Sequence, residues 1–258
     1  MYRSVEQWGT VIDLDVRDAI DESVIDACER WFVRVDDLFS TWRDDTEIMR
    51  IACGDLDVAD ASAEVKTVLD LCDRMLTESG GAFDISFGAR AKVPPRPGLA
   101  PLDPSGLVKG WAVARAADLL CNAGASNFCV NAGGDVLTAG RPEPDAEGWR
   151  VGIQHPWERQ RVAAVLVASN LAVATSGRYE RGDHVIDPRT ALPATGLASV
   201  TVIGPDLAIA DAYATAAVAL GPTDGMLWLA SRPGYEGMGI TDSRTTLFTA
   251  GFDDYRVS

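Results

Sequence analysis

SVTVIGPDLAIADAYATAAVALGP, residues 199–222, sets the reading of the whole chain. Its first part, Ser199 to Ile203, predicts a short strand. Leu207 to Leu220 predicts a helix that is apolar or small almost all round, so most of its faces must be covered. Asp206 is a suitable N-cap, and Gly221-Pro222 is a stop. Inside this buried helix stand Asp211 and Thr215, four residues apart and therefore on one face. A carboxylate there costs several kcal/mol, of order, unless something compensates it. The helix itself carries no Lys or Arg. Carboxylate plus hydroxyl is oxygen ligation suited to a hard cation such as Mg²⁺. Equally open is a structural role, with Thr215 bonded back to its own helix and Asp211 paired with a distant arginine.

Outward from this segment, helices and strands alternate without a regular βαβ rhythm, which predicts an α+β fold of mixed or antiparallel sheet with packed helices. Strands are expected at Gly9–Val16, Asn127–Asn131, Val136–Ala139, Leu171–Thr175 and His184–Ile186. Trp149–His155 and Val162–Ser169 should pair, and further strands lie around Gly239 and Thr246. Amphipathic helices are expected at Asp21–Phe39 and Ala63–Ser79, the second ended by Gly80-Gly81. Others are expected at Trp111–Asn122 and Met226–Ser231. GARAKVPPRPGLAPLDP, residues 88–104, holds five of the 13 prolines and predicts an extended loop.

Composition bounds the function. The chain has 258 residues, 47% hydrophobic and 24% charged, as expected of a globular core. It carries 23 basic and 38 acidic residues, a net charge of −15. Such a charge offers no footprint for nucleic acid or an anionic bilayer. No run approaches the roughly 18–20 apolar residues of a membrane span, so no membrane insertion is expected. The start lacks a signal-peptide pattern, and the five scattered cysteines suit reduced, mostly buried thiols; both predict a cytoplasmic protein. GxSxG, GxGxxG, Walker A and HExxH motifs are absent, which removes the common hydrolase, dehydrogenase, NTPase and zinc-protease readings.

Four further segments bear chemistry. Asp103-Pro-Ser-Gly106-Leu-Val-Lys109-Gly110 is a glycine turn leading to a helix, an anion-site pattern with Lys109 as a point charge. Gly81-Ala82-Phe83-Asp84 follows a helix stop, and Phe83 suits either a pocket or the core. Asn131-Ala-Gly-Gly-Asp135 is either a tight turn or a place where backbone meets a ligand. His184, three residues before Asp187, is a general-base candidate or an ordinary surface histidine.

GAFD (81–84), SGLVKGWAVARAADLL (105–120), VNAGGDV (130–136), WRVGIQHP (149–156), AVATSGRYER (172–181), HVIDPRT (184–190) and the 199–221 segment occur in this order. Together they resemble the ApbE-type FAD:protein FMN transferases, from Trp8-Gly9-Thr10 to the last long helix. The resemblance implies one ApbE-like, T-fold-like domain over residues 1–258. It implies FAD as substrate, Mg²⁺ at the pyrophosphate, and FMN transfer to a threonine hydroxyl of an acceptor flavoprotein with release of AMP. It also implies an alternative on the same site, hydrolysis of FAD to FMN and AMP; the glycines altered from the family pattern leave FAD binding without catalysis as another.

By the same resemblance the metal falls to Asp211, Thr215 and backbone near Gly106. Trp42, Ala82, Phe83, Asp84, Asp103, Lys109, His184 and Ile186 fall to FAD, with His184 and Asp211 catalytic. The family's DLGGIAKG stands here as DPSGLVKG and its HIIDPRTG as HVIDPRTA. Bound divalent metal would reconcile an anionic pyrophosphate with a chain of this charge.

Overall fold

A computed structural model describes residues 1–87, 101–158, 160–177 and 185–257. Its centre is an eight-stranded sheet in the order β1-β2-β3-β4-β7-β10-β11-β12, with every pairing antiparallel. The strands are β1 Tyr2–Gln7, β2 Thr10–Val16, β3 Phe128–Ala132, β4 Asp135–Ala139, β7 Ala172–Gly177, β10 Leu197–Gly204, β11 Glu236–Thr241 and β12 Thr246–Phe248. β5 (Trp149–Gln154) and β6 (Val162–Ala168) pair as a separate hairpin, and β8 (Ile186–Asp187) pairs with β9 (Leu192–Pro193).

Side-chain alternation divides the sheet into two faces. Ile12, Leu14 and Val16 of β2, Phe128 and Val130 of β3, and Val200 and Val202 of β10 join the larger core, shared with the helices. Val136, Val173, Ile203, Met238 and Ile240 join a second core with Val151, Ile153 and Leu166 of the β5–β6 hairpin. The architecture is therefore α+β, with helices on one face and a hairpin on the other. All eight residues of β10 are buried, as befits a strand covered on both sides.

The helices are α1 Glu22–Phe39, α2 Glu47–Ala52, α3 Ala63–Glu78, α4 Ser105–Asn122, α5 Leu207–Leu220 and α6 Pro222–Ala230. Asp21, Ser62 and Asp206 each accept a backbone N–H from the first turn of α1, α3 and α5. α5 buries twelve of its fourteen residues, as its all-round apolar pattern requires.

Several boundaries differ from expectation. α4 begins at Ser105, six residues before the expected Trp111, so Gly106, Lys109 and Gly110 lie inside the helix. Glycines lower helix propensity, but here packing overrides it. A Cβ on Gly110 would lie 2.5 Å from the Leu207 carbonyl oxygen, so only glycine lets α4 approach α5 so closely. α6 begins at Pro222 rather than Met226, because Pro suits the first helical position and Gly221 turns the chain at φ 84°. The strand expected at His184–Ile186 is Ile186–Asp187, and His184 lies outside the described residues. β1 and α2 were not anticipated: β1 is an edge strand half open to solvent, and α2 is six residues long. Residues 101–103 of the expected extended loop carry no helix or strand, and 88–100 lie outside the described residues. The free cysteines are less buried than expected: Cys28 and Cys72 are buried, Cys53 and Cys129 half-buried, Cys121 exposed.

Candidate functional site

α4 and α5 carry the site because they pack against each other over the β4–β7 part of the sheet. Asp211 and Thr215 open from α5 into a small cavity, shared with Gly106 and Lys109 of α4 and with Thr175, Ser176 and Gly177 at the end of β7. Asp211 is 4% exposed. The Thr215 hydroxyl lies 2.8 Å from the Ser176 hydroxyl, so helix and strand meet through two oxygens. Gly106 completes the enclosure: a Cβ there would sit 3.3 Å from both Thr215 Oγ1 and the Phe83 ring.

The turn after α3 forms the next wall. Gly80 and Gly81 adopt φ of 62° and 90°, in the left-handed region that glycine favours. This releases Ala82, Phe83 and Asp84 into the cavity lining. The Phe83 amide donates to Ser79 Oγ at 2.9 Å, and Asp84 Oδ1 accepts the Ser86 amide at 2.8 Å. Phe83 belongs both to the core and to the cavity, so the two readings of it are compatible. Asp103 donates its amide to the Ile85 carbonyl at 2.9 Å, and its carboxylate accepts the Ser105 amide at 3.1 Å. That joins the turn to the start of α4.

Val185 and Ile186 close a third side. Arg189 fixes their segment: it reaches Asp187 at 2.9 Å, Asp224 of α6 at 2.7 Å and the Leu220 carbonyl at 3.0 Å. Hydrogen bonding from Arg189 holds the Asp187 carboxyl below its ordinary range.

A larger cleft of about 1240 Å³ adjoins this cavity, and Asp103, Ser105 and Lys109 line both. Its walls include Trp8 and Gly9 of the β1–β2 turn with Thr10 at the start of β2, Phe39 at the end of α1, Ser40, Thr41 and Trp42 just after it, and Gly133. Trp42 is 58% exposed. Lys109 is the only cationic side chain among the described residues of either lining, whereas Asp84, Asp103 and Asp211 line the small cavity.

Nine of the residues singled out from sequence thus border one cavity: Ala82, Phe83, Asp84, Asp103, Gly106, Lys109, Ile186, Asp211 and Thr215. Trp42 stands apart, in the larger cleft. Asp135, Thr175 and Ser176 were missed. The sequence leaves Asp135 at the end of a segment that is either a tight turn or backbone meeting a ligand; in the structure it opens β4, and strand alternation turns it toward the helices. Its Oδ2 lies 2.7 Å from Lys109 Nζ, and its Oδ1 accepts the Thr175 amide at 3.1 Å. The available signal was a carboxylate at the head of a strand with apolar residues on both sides.

Among the described residues, all the side-chain donors facing the cavity are oxygens, apart from Lys109. Among the described residues no three carboxylates, imidazoles or thiols converge as a metal site. A cation held here would rest on the Asp211 carboxylate and the Thr215 hydroxyl, with its other positions taken by backbone, water or substrate. That is the habit of Mg²⁺, which keeps several ligands outside the protein's carboxylates. The donor set fits such an ion.

The model of the ApbE family matches residues 8–93 and 92–238. An FAD:protein FMN transferase of Rhodobacter capsulatus is 39% identical over 131 residues, which is 48% of this chain but 25% of that protein. One from Klebsiella pneumoniae is 29% identical over 239 residues, 72% of this chain and 68% of that protein. The solved flavin transferase ApbE from Vibrio cholerae superposes with a TM-score of 0.83 at 24% identity, covering 99% of this chain and 98% of that one. The apbe protein from Thermotoga maritima gives 0.84 at 22% identity, with both chains covered in full. At these identities the two structures speak for the fold.

Proposed function

The chain belongs to the ApbE family, and on that premise we propose that it transfers the FMN half of FAD to a threonine hydroxyl of an acceptor flavoprotein, releasing AMP. One observation carries the reading: a carboxylate-rich cavity with a single lysine among its described residues opens into a cleft large enough for a dinucleotide. Asp84, Asp103 and Asp211 would repel a diphosphate, and Lys109, the one cation among the described lining residues, already faces Asp135 at 2.7 Å. The cavity therefore calls for a divalent cation together with its anionic substrate, and Mg²⁺ is the ion that the oxygen donors suit.

Asp211 and Thr215 would hold the ion. When bound, it supplies Lewis-acid activation of phosphorus and stabilises charge on the departing AMP. Lys109 meets the pyrophosphate where cavity and cleft join, and the first turn of α4 adds its partial positive charge. Trp42 and the β1–β2 turn give apolar surface to a flat ring in the cleft. The reaction forms a bond from the acceptor oxygen to the FMN phosphorus and breaks the bond from that phosphorus to the bridging oxygen, which leaves with AMP. The hydroxyl proton passes to a base, a role given to His184 by the family resemblance. The enclosed walls hold the groups in line, which is where most of the acceleration of phosphoryl transfer arises.

The test is AMP release from FAD, with Mg²⁺ or with EDTA, for wild type and Asp211→Ala, in the presence and absence of a threonine-bearing acceptor protein. Metal-dependent release that needs the acceptor and leaves FMN on it is the expected result. Metal-dependent release into water without an acceptor would make the protein an FAD pyrophosphatase. FAD bound with no AMP under any condition would make it a carrier.

A further inference from the structure

Asp135 belongs to no catalytic assignment above, yet it is 1% exposed and spends both carboxylate oxygens on parts of the site. One oxygen is ion-paired with Lys109 of α4 at 2.7 Å, and the other accepts the Thr175 amide of β7 at 3.1 Å. Lys109 is itself only 15% exposed along its side chain and borders both the cavity and the cleft. A four-carbon stem gives a lysine ammonium wide freedom, and an anion that meets it needs it held in one place. Thr175 in turn pairs with Thr201 Oγ1 across the strand at 2.9 Å, and the next residue, Ser176, reaches Thr215. A single buried carboxylate thus joins β4, α4 and the end of β7.

We propose that Asp135 is a positioning residue: it holds the Lys109 ammonium at the junction of cavity and cleft, where an anionic phosphate of the substrate would meet it. The inference rests on the reading of the site as one for FAD. Two simpler roles predict different behaviour. If Asp135 merely neutralised Lys109, removing its charge would strengthen anion binding. If it merely held β4 to β7 through Thr175, its loss would matter equally with or without Lys109.

The experiment is a double-mutant cycle on FAD binding, read by flavin fluorescence with Mg²⁺ present, using wild type, Asp135→Asn, Lys109→Met and the double variant. Thermal unfolding is followed alongside. Asp135→Asn keeps an oxygen for the Thr175 amide and loses the charge. The expected result is binding weakened about tenfold by Asp135→Asn in the wild-type background, and by less than about twofold once Lys109 is methionine, since charge-assisted contacts couple strongly. Tighter binding, or an equal loss in both backgrounds, overturns the proposal. If the asparagine variant does not fold, Asp135→Glu carries the same cycle: it keeps the charge but shifts it by one methylene, and its loss must again vanish in the Lys109→Met background. A wild type that binds no FAD overturns the functional reading itself, and this inference with it. A wild type that binds FAD without coupling overturns this inference alone.

Discussion

The small cavity and the larger cleft share three residues but differ in the chemistry that lines them. The cavity sets Asp211 and Thr215 on α5, Gly106 and Lys109 on α4 and Ser176 on β7, with the turn after α3 as a further wall. The cleft also uses strands and helices, but the aromatic surface it exposes comes from turns, at Trp8 and at Trp42. Precise placement of charge requires rigid elements, whereas holding a flat ring needs area more than precision. The cavity is therefore where chemistry should be sensitive, and the cleft where affinity should be.

The largest expected effect is at Asp211. Asp211→Asn should lower AMP release at least about 100-fold and leave a residue insensitive to EDTA, because an amide is a poor ligand for a hard cation. Equal loss of FAD affinity with rate unaffected would erase the distinction between the two regions. Next is Gly106→Val, which drives methyl groups toward Thr215 and Phe83. It should cost about 1–3 kcal/mol of stability and reduce turnover more than FAD affinity; chemical denaturation and steady-state rates check both.

Trp42→Ala should act in the opposite sense. The side chain is mostly exposed, so stability should change little. FAD dissociation should rise about tenfold, a loss of roughly 1–3 kcal/mol for one stacked ring, with the rate at saturation unchanged. Turnover falling with affinity intact would break the comparison from the other side. The smallest effect concerns the wall near Ile186. Arg189 lowers the Asp187 pKa, so this pair adds stability above the unfolded carboxyl value of about 3.9, and that stability is lost as pH falls through the lower folded value. Denaturation midpoints of wild type and Asp187→Asn should differ slightly at pH 7 and converge in strong acid. Arg189 is half exposed, so the difference is modest.

Much of the architecture could be read from local pattern. The cap at Asp206, the stripe of α1 and the fully buried α5 follow from residue type and spacing alone. The same holds for the pairing of β5 with β6. The misses have a common cause. Gly106 and Gly110 read as a turn because glycine disfavours helix, yet they lie in α4 because α5 packs against it where a side chain would collide. Asp135 gives no sign of a side-chain role for the same local reason, since Gly133-Gly134 precedes it and directs attention to the backbone.

What the sequence alone determined is everything fixed within one element: the four-residue spacing that puts Asp211 and Thr215 on one face, the acidic balance that makes an anionic substrate need a cation, and the glycines that release the Ala82–Asp84 turn. Helical and strand periods carry such relations without reference to the rest of the chain. The pairing of Asp135 with Lys109, the meeting of Thr215 with Ser176 and the junction of cavity with cleft depend on which strands are neighbours and which helices cross them. Those relations join residues 26 and 39 positions apart, and no local period specifies them; they arise when burial of the two sheet faces sets the strand order.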